Sequence, residues 1–367
     1  MTDLPITTIV GAAGFAAGIV FGATAQRTNF CTMGAISDIV FMGDWRRMRA
    51  WLLAISVAIL STQAMSAAGM VDLAKAIYLT PNFGWLGAIL GGLLFGFGMT
   101  MTGGCANKTL VRIGGGNLKS LVVFLVLGLF AYMTLRGLTG LARVRMEGAA
   151  NIDLTAHGLT GQGLPEMLAA ATGIGHAAAR WGLAAVASLG LAVFCFKDPA
   201  FRTSPRDIVA GLVIGLMVPA GWWITGVLGN DDFSPTALAS FTFVAPIGDA
   251  LQYLMTFTGA TIDFGIATVG GVIAGAFLMA AATRSFRVEG FVDTPDTLRH
   301  VGGAAIMGIG GVLSLGCTIG QGLTGMATLA AGSLLALLSI VLGGVLGLKT
   351  LEQGTFVGAV RAVLARG

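Results

Sequence analysis

Two cysteines of this sequence stand in one glycine framework that occurs once in each half of the chain. Four of the glycines that precede Cys105 in residues 91–105 (GGLLFGFGMTMTGGC) recur at the same spacing before Cys317 in residues 303–317 (GAAIMGIGGVLSLGC). A neutral thiol is polarizable and is a weak hydrogen-bond donor. Two thiols in matching apolar surroundings therefore indicate a site that holds a soft, sulfur-bearing anion loosely through S–H···S contacts.

A third cysteine, Cys31, follows the first long apolar stretch in the segment GATAQRTNFCTMG. We expect it to join Cys105 and Cys317 as a third thiol of the same site. The fourth, Cys195, has no glycine framework and is interpreted as a buried structural residue. No two cysteines form a CxxC pair, which argues against a disulfide framework, a zinc ribbon and a thioredoxin-type centre.

Polar side chains lie within a few residues of each thiol. The candidates for attracting an anion or donating hydrogen bonds to it are Arg27, Lys108, Thr318 and Gln321. For the two basic residues the alternative is snorkelling to the membrane interface, which long basic side chains near helix ends usually do. Both interpretations stay open on the sequence alone.

The composition is that of a membrane protein. Hydrophobic residues make up 55% of the 367 residues, and charged residues make up only 10%. Soluble globular proteins carry about 25% charged residues, whereas here apolar runs long enough to cross a bilayer recur along the chain. The sequence therefore predicts an all-α polytopic membrane protein. The net charge of +4 lies in short loops and indicates orientation in the bilayer rather than nucleic-acid binding.

Backbone breaks are expected at Gly103, Gly104 and Gly316, where an apolar run stops before a cysteine and then resumes. Unpaired backbone groups are tolerated in a membrane only where protein or a lined cavity satisfies them. The N–H groups at the start of a half-helix favour an anion. Paired broken helices in the two halves of a membrane protein indicate a transport site near the bilayer midplane.

About nine transmembrane segments, counting each broken segment as one crossing, place most of the basic loops on one side of the membrane. Residues 1–136 are expected to form a first repeat half, residues 137–207 an extramembrane connection plus a lone span, and residues 208–367 a second repeat half. The odd fifth span makes the two pseudo-repeats inverted. Alignment of the two halves puts Ile224 in the place of Cys31.

The remaining segments carry no sign of a cofactor. The histidines lie in polar loops without metal-type spacing, and the segment GGGNLKS lacks the spacing of a phosphate-binding loop. We therefore expect no metal, no cofactor and no catalytic residue. One surface helix is expected at residues 165–171, and residues 230–263 are expected to form a polar, acid-rich stretch.

Three segments closely resemble the cysteine motifs of the YeeE/YedE membrane family: GIVFGATAQRTNFCTMG, GFGMTMTGGCANKTLVRIG and GGVLSLGCTIGQGLTG. The similarity runs over nearly the whole chain, and the family comprises thiosulfate importers and related sulfur or selenium transport proteins. The resemblance implies a nine-span, hourglass-like protein whose substrate passes three central cysteines, here Cys31, Cys105 and Cys317. It also implies a TusA-like sulfur-carrier protein on the cytoplasmic side, which is expected to be a separate chain because the tail after Leu348 is short.

The leading hypothesis is an inner-membrane transporter, not an enzyme, that imports thiosulfate or a related small sulfur-containing anion. Its N-terminus is expected outside and its C-terminus in the cytoplasm. The alternatives are a membrane thiol enzyme that forms a cysteine persulfide, a transporter of a selenium compound, and a channel for an unrelated solute. Neither a nucleotide-binding motif nor an intramembrane carboxylate is recognised, so consumption of the anion inside the cell is the expected driving force.

Overall fold

The computed structural model describes residues 5–231 and 236–364, which are almost entirely helical. Helices are expected of such apolar, glycine-rich runs, since every backbone N–H and C=O group must be satisfied internally in a bilayer. The first six helices are α1 (Ile6–Thr28), α2 (Thr32–Met42), α3 (Arg46–Ala67), α4 (Trp85–Met101), α5 (Ala106–Gly114) and α6 (Leu118–Arg136). The connecting region contains α7 (Leu138–Ala150), α8 (Leu164–Thr172), α9 (His176–Phe196) and α10 (Pro199–Arg202). The last six are α11 (Pro205–Trp223), α12 (Val244–Met255), α13 (Phe264–Ala282), α14 (Thr294–Leu313), α15 (Ala331–Gln353) and α16 (Phe356–Leu364).

Smaller elements complete the described chain. α11 continues as a π-helical turn, Ile224–Leu228, and a second π-helical turn, Gly320–Gly325, lies inside a short helix over residues 318–327. Two-residue strands, Asn82–Phe83 and Ile152–Asp153, pair antiparallel. The 3-10 turns are Leu73–Lys75, Ile77–Leu79, Leu154–His157 and Phe257–Gly259.

Eight helical stretches of the described residues are long and apolar enough to cross a membrane, with α1–α2 and α4–α5 each counted as one. α14 is not among them, because its first two turns carry Asp296, Arg299 and His300, which lower its mean hydropathy. It nevertheless packs along α4 and α6, which both cross. With α14 as the ninth crossing, the protein is an all-α polytopic membrane protein.

Following the chain through these crossings assigns each loop to one of two faces. Loops at 43–45, 115–117, 197–204 and 283–293 fall on what we call the first face. The connections at 68–84, 137–175, 229–231, 236–263 and 328–330 fall on the second face. Contacts between loops agree with this assignment: Asn117 bridges Glu289 on the first face, and Gly163 bridges Ala330 on the second. In consequence, the broken segment around Cys105 and the one around Cys317 run through the membrane in opposite directions.

Helix packing follows a regular correspondence between the first six helices and the later ones. α1 packs on α13 as α11 packs on α3, and α4 packs on α15 as α14 packs on α6. Likewise α12 packs on α6 as α2 packs on α15. These are the contacts that two repeats related by a two-fold axis would make.

Close helix contacts depend on glycine. A Cβ atom on Gly18 would lie 2.8 Å from the carbonyl oxygen of Thr268, and one on Gly22 would lie 2.8 Å from the Cα atom of Val272, so α1 and α13 touch backbone to backbone. Where α11 crosses α3, a Cβ atom on Gly211 would likewise lie 2.8 Å from the carbonyl oxygen of Ala50. Small residues at such crossings allow the close approach that stabilises helix pairs in lipid.

Two sequence-based expectations were wrong. The connecting region has two helices before the lone span rather than one. The additional helix, α7, carries Arg143 and Glu147, whose charges indicated a loop. Within the helix these two side chains form an ion pair of 2.9 Å. The acid-rich stretch of residues 230–263 contains α12, and of this stretch residues 232–235 lie outside the described part, as does the end of the basic tail at 365–367.

The expected equivalence of Ile224 with Cys31 was also wrong. Trp223 and Ile224 lie inside a continuous helix that ends only at Leu228. The second-half helix that corresponds to α2 by its packing is α12, and the residue that precedes it is Phe243. Phe243 thus takes the position that Cys31 has in the first half.

Candidate functional site

Each of the three candidate cysteines, Cys31, Cys105 and Cys317, follows the same kind of helix end. The residue two positions before the cysteine adopts the left-handed conformation: Asn29 with φ 56°, Gly103 with φ 70° and Leu315 with φ 57°. Glycine is the residue usually found there because it has no Cβ atom to clash. The chain direction therefore changes sharply just before each thiol.

Hydrogen bonds at these helix ends are also alike. The residue directly before each cysteine donates its N–H to the carbonyl oxygen five positions earlier, which is the long bond of a Schellman motif. The N···O distances are 3.2 Å for Phe30 to Ala25, 2.8 Å for Gly104 to Met99 and 2.8 Å for Gly316 to Gly311. These bonds satisfy carbonyl groups that the broken helices leave free, so the break is tolerated inside the protein.

Each cysteine then begins a new helix as its N-terminal cap. The Cys31 sulfur accepts from the N–H of Gly34 at 3.4 Å, and the Cys317 sulfur accepts from the N–H of Gly320 at 3.3 Å. Cys105 precedes α5 as its N-terminal cap, but in the described residues its side chain accepts no cap hydrogen bond. Each thiol thus lies at the positive end of a short helix, and for Cys31 and Cys317 the donor is the third residue after the cysteine.

The three thiols are buried and lie near one another. Cys105 and Cys317 are fully buried, and Cys31 is 6% exposed. Cys105 has both Cys31 and Cys317 as neighbours. Cys195 belongs to a separate apolar cluster, where its thiol donates to the carbonyl oxygen of Arg49 at 3.2 Å.

Positive charge lies on the first-face side of the thiols. Lys108 is 8% exposed, and its electrostatic neighbours include Cys31, Cys105, Arg112 and Arg47. Its ammonium group donates to the side-chain oxygen of Asn29 at 2.5 Å, so it is directed toward the break rather than to the membrane surface.

The sequence candidate Arg27 lies elsewhere. It is exposed at the end of α1, and among the described residues no hydrogen bond or ion pair joins it to the cysteines. Snorkelling is therefore the better description of Arg27, whereas Lys108 is held inside.

Neutral polar groups lie on the second-face side. The Thr318 hydroxyl lies near Cys105 and has no hydrogen-bond partner within the described chain. The amide nitrogen of Gln321 donates to the carbonyl oxygen of Ser314, while its amide oxygen has no such partner in the same ranges. Both residues are 3% exposed or less, and an unsatisfied buried polar group is costly unless a ligand or water completes it.

Two residues that the sequence did not single out also reach this side. Thr242 and Phe243 both lie next to the Cys317 sulfur. Tyr78, from a second-face loop, interacts with Thr242 and is near Cys317. Tyr78 is far from Cys317 in sequence and belongs to no repeated motif, so no sequence signal marks it.

Two cavities of the described chain have linings without a cysteine. One, of about 20 Å³ on the second-face side, is lined by residues that include Tyr78, Gln162, Leu315, Gln321 and Ser333. That volume is enough for about one water molecule. The other is a groove of about 750 Å³ between α1, α12 and α13, and its lining is mainly apolar. The thiols themselves are enclosed, since Cys105 and Cys317 are fully buried and Cys31 is nearly so.

Similarity to known proteins accords with this arrangement. The Sulphur transport family matches residues 27–346, a range that contains Cys31, Cys105 and Cys317. Over 330 residues the chain is 28% identical to the thiosulfate transporter TsuA of Escherichia coli (strain K12), covering 84% of this chain and 86% of that protein. Over 321 residues it is 26% identical to the thiosulfate transporter TsuA of Spirochaeta thermophila, covering 85% and 90%.

A shorter match covers 97 residues at 33% identity to the probable transporter YedE of Salmonella typhimurium, or 26% of this chain and 22% of that protein. These relatives are transporters by name, and the present chain is accordingly a membrane transporter rather than an enzyme. The eight membrane-crossing stretches of the described residues and the extent of the match agree with this. The chain belongs to the Sulphur transport family.

Proposed function

We propose that the protein imports thiosulfate, or a related small sulfur-containing anion, past Cys317, Cys105 and Cys31 in that order. The observation that carries this proposal is the position of Cys105, which is fully buried and has both other thiols as neighbours. The TsuA relatives are named as thiosulfate transporters. Similarity over most of both chains supports the same class of substrate here.

The way in which the anion is held follows from the position of each cysteine at the N-terminus of a helix. A neutral S–H group donates a weak hydrogen bond to the terminal sulfur of the anion, and the N–H groups of the helix that each cysteine begins attract its negative charge. Contacts of this strength allow the anion to leave one thiol for the next, whereas a lysine at each station would hold it too long. Thiosulfate is passed along unchanged, with no bond made or broken.

The direction of import follows from charge. Lys108, Arg112 and Arg47 lie on the first-face side of the thiols, and the first-face loops carry most of the other basic residues. The positive-inside rule then makes the first face cytoplasmic, which places the N-terminus outside and the C-terminus inside the inner membrane. An entering anion meets the neutral groups around Cys317 first and the positive charge near Cys31 last.

This direction fits two repeat halves, residues 1–136 and 208–367, inserted in opposite orientations around the connection 137–207. A separate TusA-like carrier on the cytoplasmic face would consume the imported sulfur and maintain the inward flow. Both features belong to the proposal and rest on the packing correspondence and on the family resemblance.

The test is uptake of radiolabelled thiosulfate by cells that lack other sulfur importers. Expression of the wild-type protein is expected to confer uptake that unlabelled thiosulfate competes strongly and sulfate competes weakly. Equal competition by sulfate would indicate a general anion channel, and stronger competition by selenite would indicate a selenium substrate. Either result would overturn the assignment to thiosulfate.

A further inference from the structure

The sulfur of Cys317 lies where two helix starts meet. It accepts from the backbone N–H of Gly320 at 3.3 Å, and Thr242 and Phe243 lie next to it. Phe243 caps α12, and Gly320 lies in the first turn of the 318–327 helix. The positive ends of both helices therefore favour an anion at this point.

Thr242 and Tyr78 are neighbours beside Cys317. Both of their hydroxyls lie against Gly320: a Cβ atom there would be 3.5 Å from the Tyr78 hydroxyl and would collide with the Thr242 hydroxyl. A threonine hydroxyl has one proton and accepts through its oxygen. A Tyr78 hydroxyl that donates to that oxygen leaves the Thr242 proton available to a ligand beside Cys317.

Tyr78 also connects this group to the second face. It is 4% exposed, yet it lines the cavity of about 20 Å³ on the second-face side. In the same cavity the hydroxyl of Ser333, which is 1% exposed, has no partner among the described residues. A solute that enters this cavity from the second face thus meets Tyr78 before any thiol.

We propose that Tyr78, Thr242 and Cys317 form an entry station that recognises the oxygens of a sulfur oxyanion. The inference rests on the proposed function and adds to it the part of the substrate that is read at this point. The Thr242 hydroxyl donates to an anion oxygen, which is a far better acceptor than a thiol sulfur. Cys317 then faces the terminal sulfur, and Tyr78 acts as the positioning residue that keeps the Thr242 proton available.

A purely structural role predicts something different. If Tyr78 and Thr242 only satisfy each other in the core, their removal lowers the amount or the thermal stability of the protein. The KM of the protein that still folds is then expected to equal that of the wild type. The separation of KM from maximal rate therefore distinguishes recognition from packing.

The experiment measures uptake of radiolabelled thiosulfate into proteoliposomes by the wild type, Thr242→Val, Thr242→Ser and Tyr78→Phe. Thr242→Val keeps the shape and removes the hydroxyl, so its KM is expected to rise roughly ten-fold or more, the usual effect of losing a hydrogen bond to a charged group. Thr242→Ser retains the hydroxyl and is expected to stay within about two-fold of the wild type. Tyr78→Phe is expected to raise KM by roughly three-fold to ten-fold, because one neutral hydrogen bond is lost.

Tyr253→Phe is the matched control, since Tyr253 lines the large apolar groove and loses its hydroxyl away from the thiols. A wild-type KM in both Thr242→Val and Tyr78→Phe would overturn the entry station, whatever their maximal rates. If Thr242→Val does not fold, the KM values of Tyr78→Phe and Thr242→Ser test the entry station. Absence of thiosulfate uptake by the wild type would instead overturn the proposed function itself.

Discussion

The ammonium group of Lys108 lies 2.5 Å from the side-chain oxygen of Asn29. Asn29 is the left-handed residue that ends α1 just before Cys31, and Lys108 is in the first turn of α5 just after Cys105. One hydrogen bond thus joins the two helix breaks of the first half and holds a positive charge beside two thiols. Import of an anion toward this charge requires the lysine to attract the anion without trapping it.

Replacement of Lys108 by methionine is expected to reduce the maximal rate of thiosulfate uptake roughly ten-fold, because an anion near Cys31 loses an attraction worth a few kcal/mol at an intermediate dielectric. The KM is expected to change less, since the anion enters at Cys317. Lys75→Met, at an exposed second-face position, is the control. Uptake by Lys108→Met at the wild-type rate would show that the charge has no part in the passage.

The crossing of α1 and α13 gives a prediction about stability. Gly22→Ala is expected to lower the free energy of unfolding by about 1–3 kcal/mol, because the new methyl group overlaps the backbone of Val272. Thermal unfolding in detergent measures the effect. Gly182→Ala in α9 is the matched control: nothing lies within 4 Å of its added Cβ atom, and alanine favours the helix by about 1 kcal/mol. Equal unfolding temperatures for the two variants would contradict the backbone contact.

The pH dependence of stability is expected to involve Asp296 at the first-face end of α14. Hydrogen bonds from Lys119 at 2.7 Å and Arg299 at 2.8 Å hold the pKa of this carboxyl well below its usual value. A carboxyl with a lowered folded-state pKa contributes stability that is complete above its unfolded-state pKa of about 3.9 and is lost as the pH falls toward the folded-state pKa.

The unfolding temperature of the wild type is therefore expected to fall more steeply than that of Asp296→Asn between about pH 5 and about pH 3. Scanning calorimetry in detergent at several pH values measures the two slopes. Parallel slopes would show that Asp296 makes no pH-dependent contribution to stability.

The sequence predicts the membrane class, most of the long helices and the two glycine-framed breaks, because apolar runs and glycine positions are local signals. It does not predict α12, whose segment is polar and begins after Phe243 rather than after a cysteine. It also misplaces the second-half equivalent of Cys31, since α11 continues through Ile224 as a π-helical turn. Only the helix packing identifies the true counterpart.

The candidate site was predicted where its residues are cysteines or lie close to one in the sequence. The framework around Cys105 and Cys317 marks those thiols, and Lys108 lies close to one of them in sequence. Tyr78 and Thr242 are joined to Cys317 by tertiary contacts across long separations in the chain, and a tyrosine in a loop carries no periodic signal. Arg27 shows that closeness in sequence is not sufficient, because a basic residue near a thiol in the sequence can still point outward.

The most direct measurement compares thiosulfate uptake by Cys105→Ala and Cys195→Ala in proteoliposomes that contain equal amounts of folded protein. Both changes remove a buried thiol, but only Cys105 has two other candidate cysteines as neighbours. Import along the thiols predicts that Cys105→Ala abolishes uptake while Cys195→Ala retains it. Wild-type uptake by Cys105→Ala would contradict the pathway.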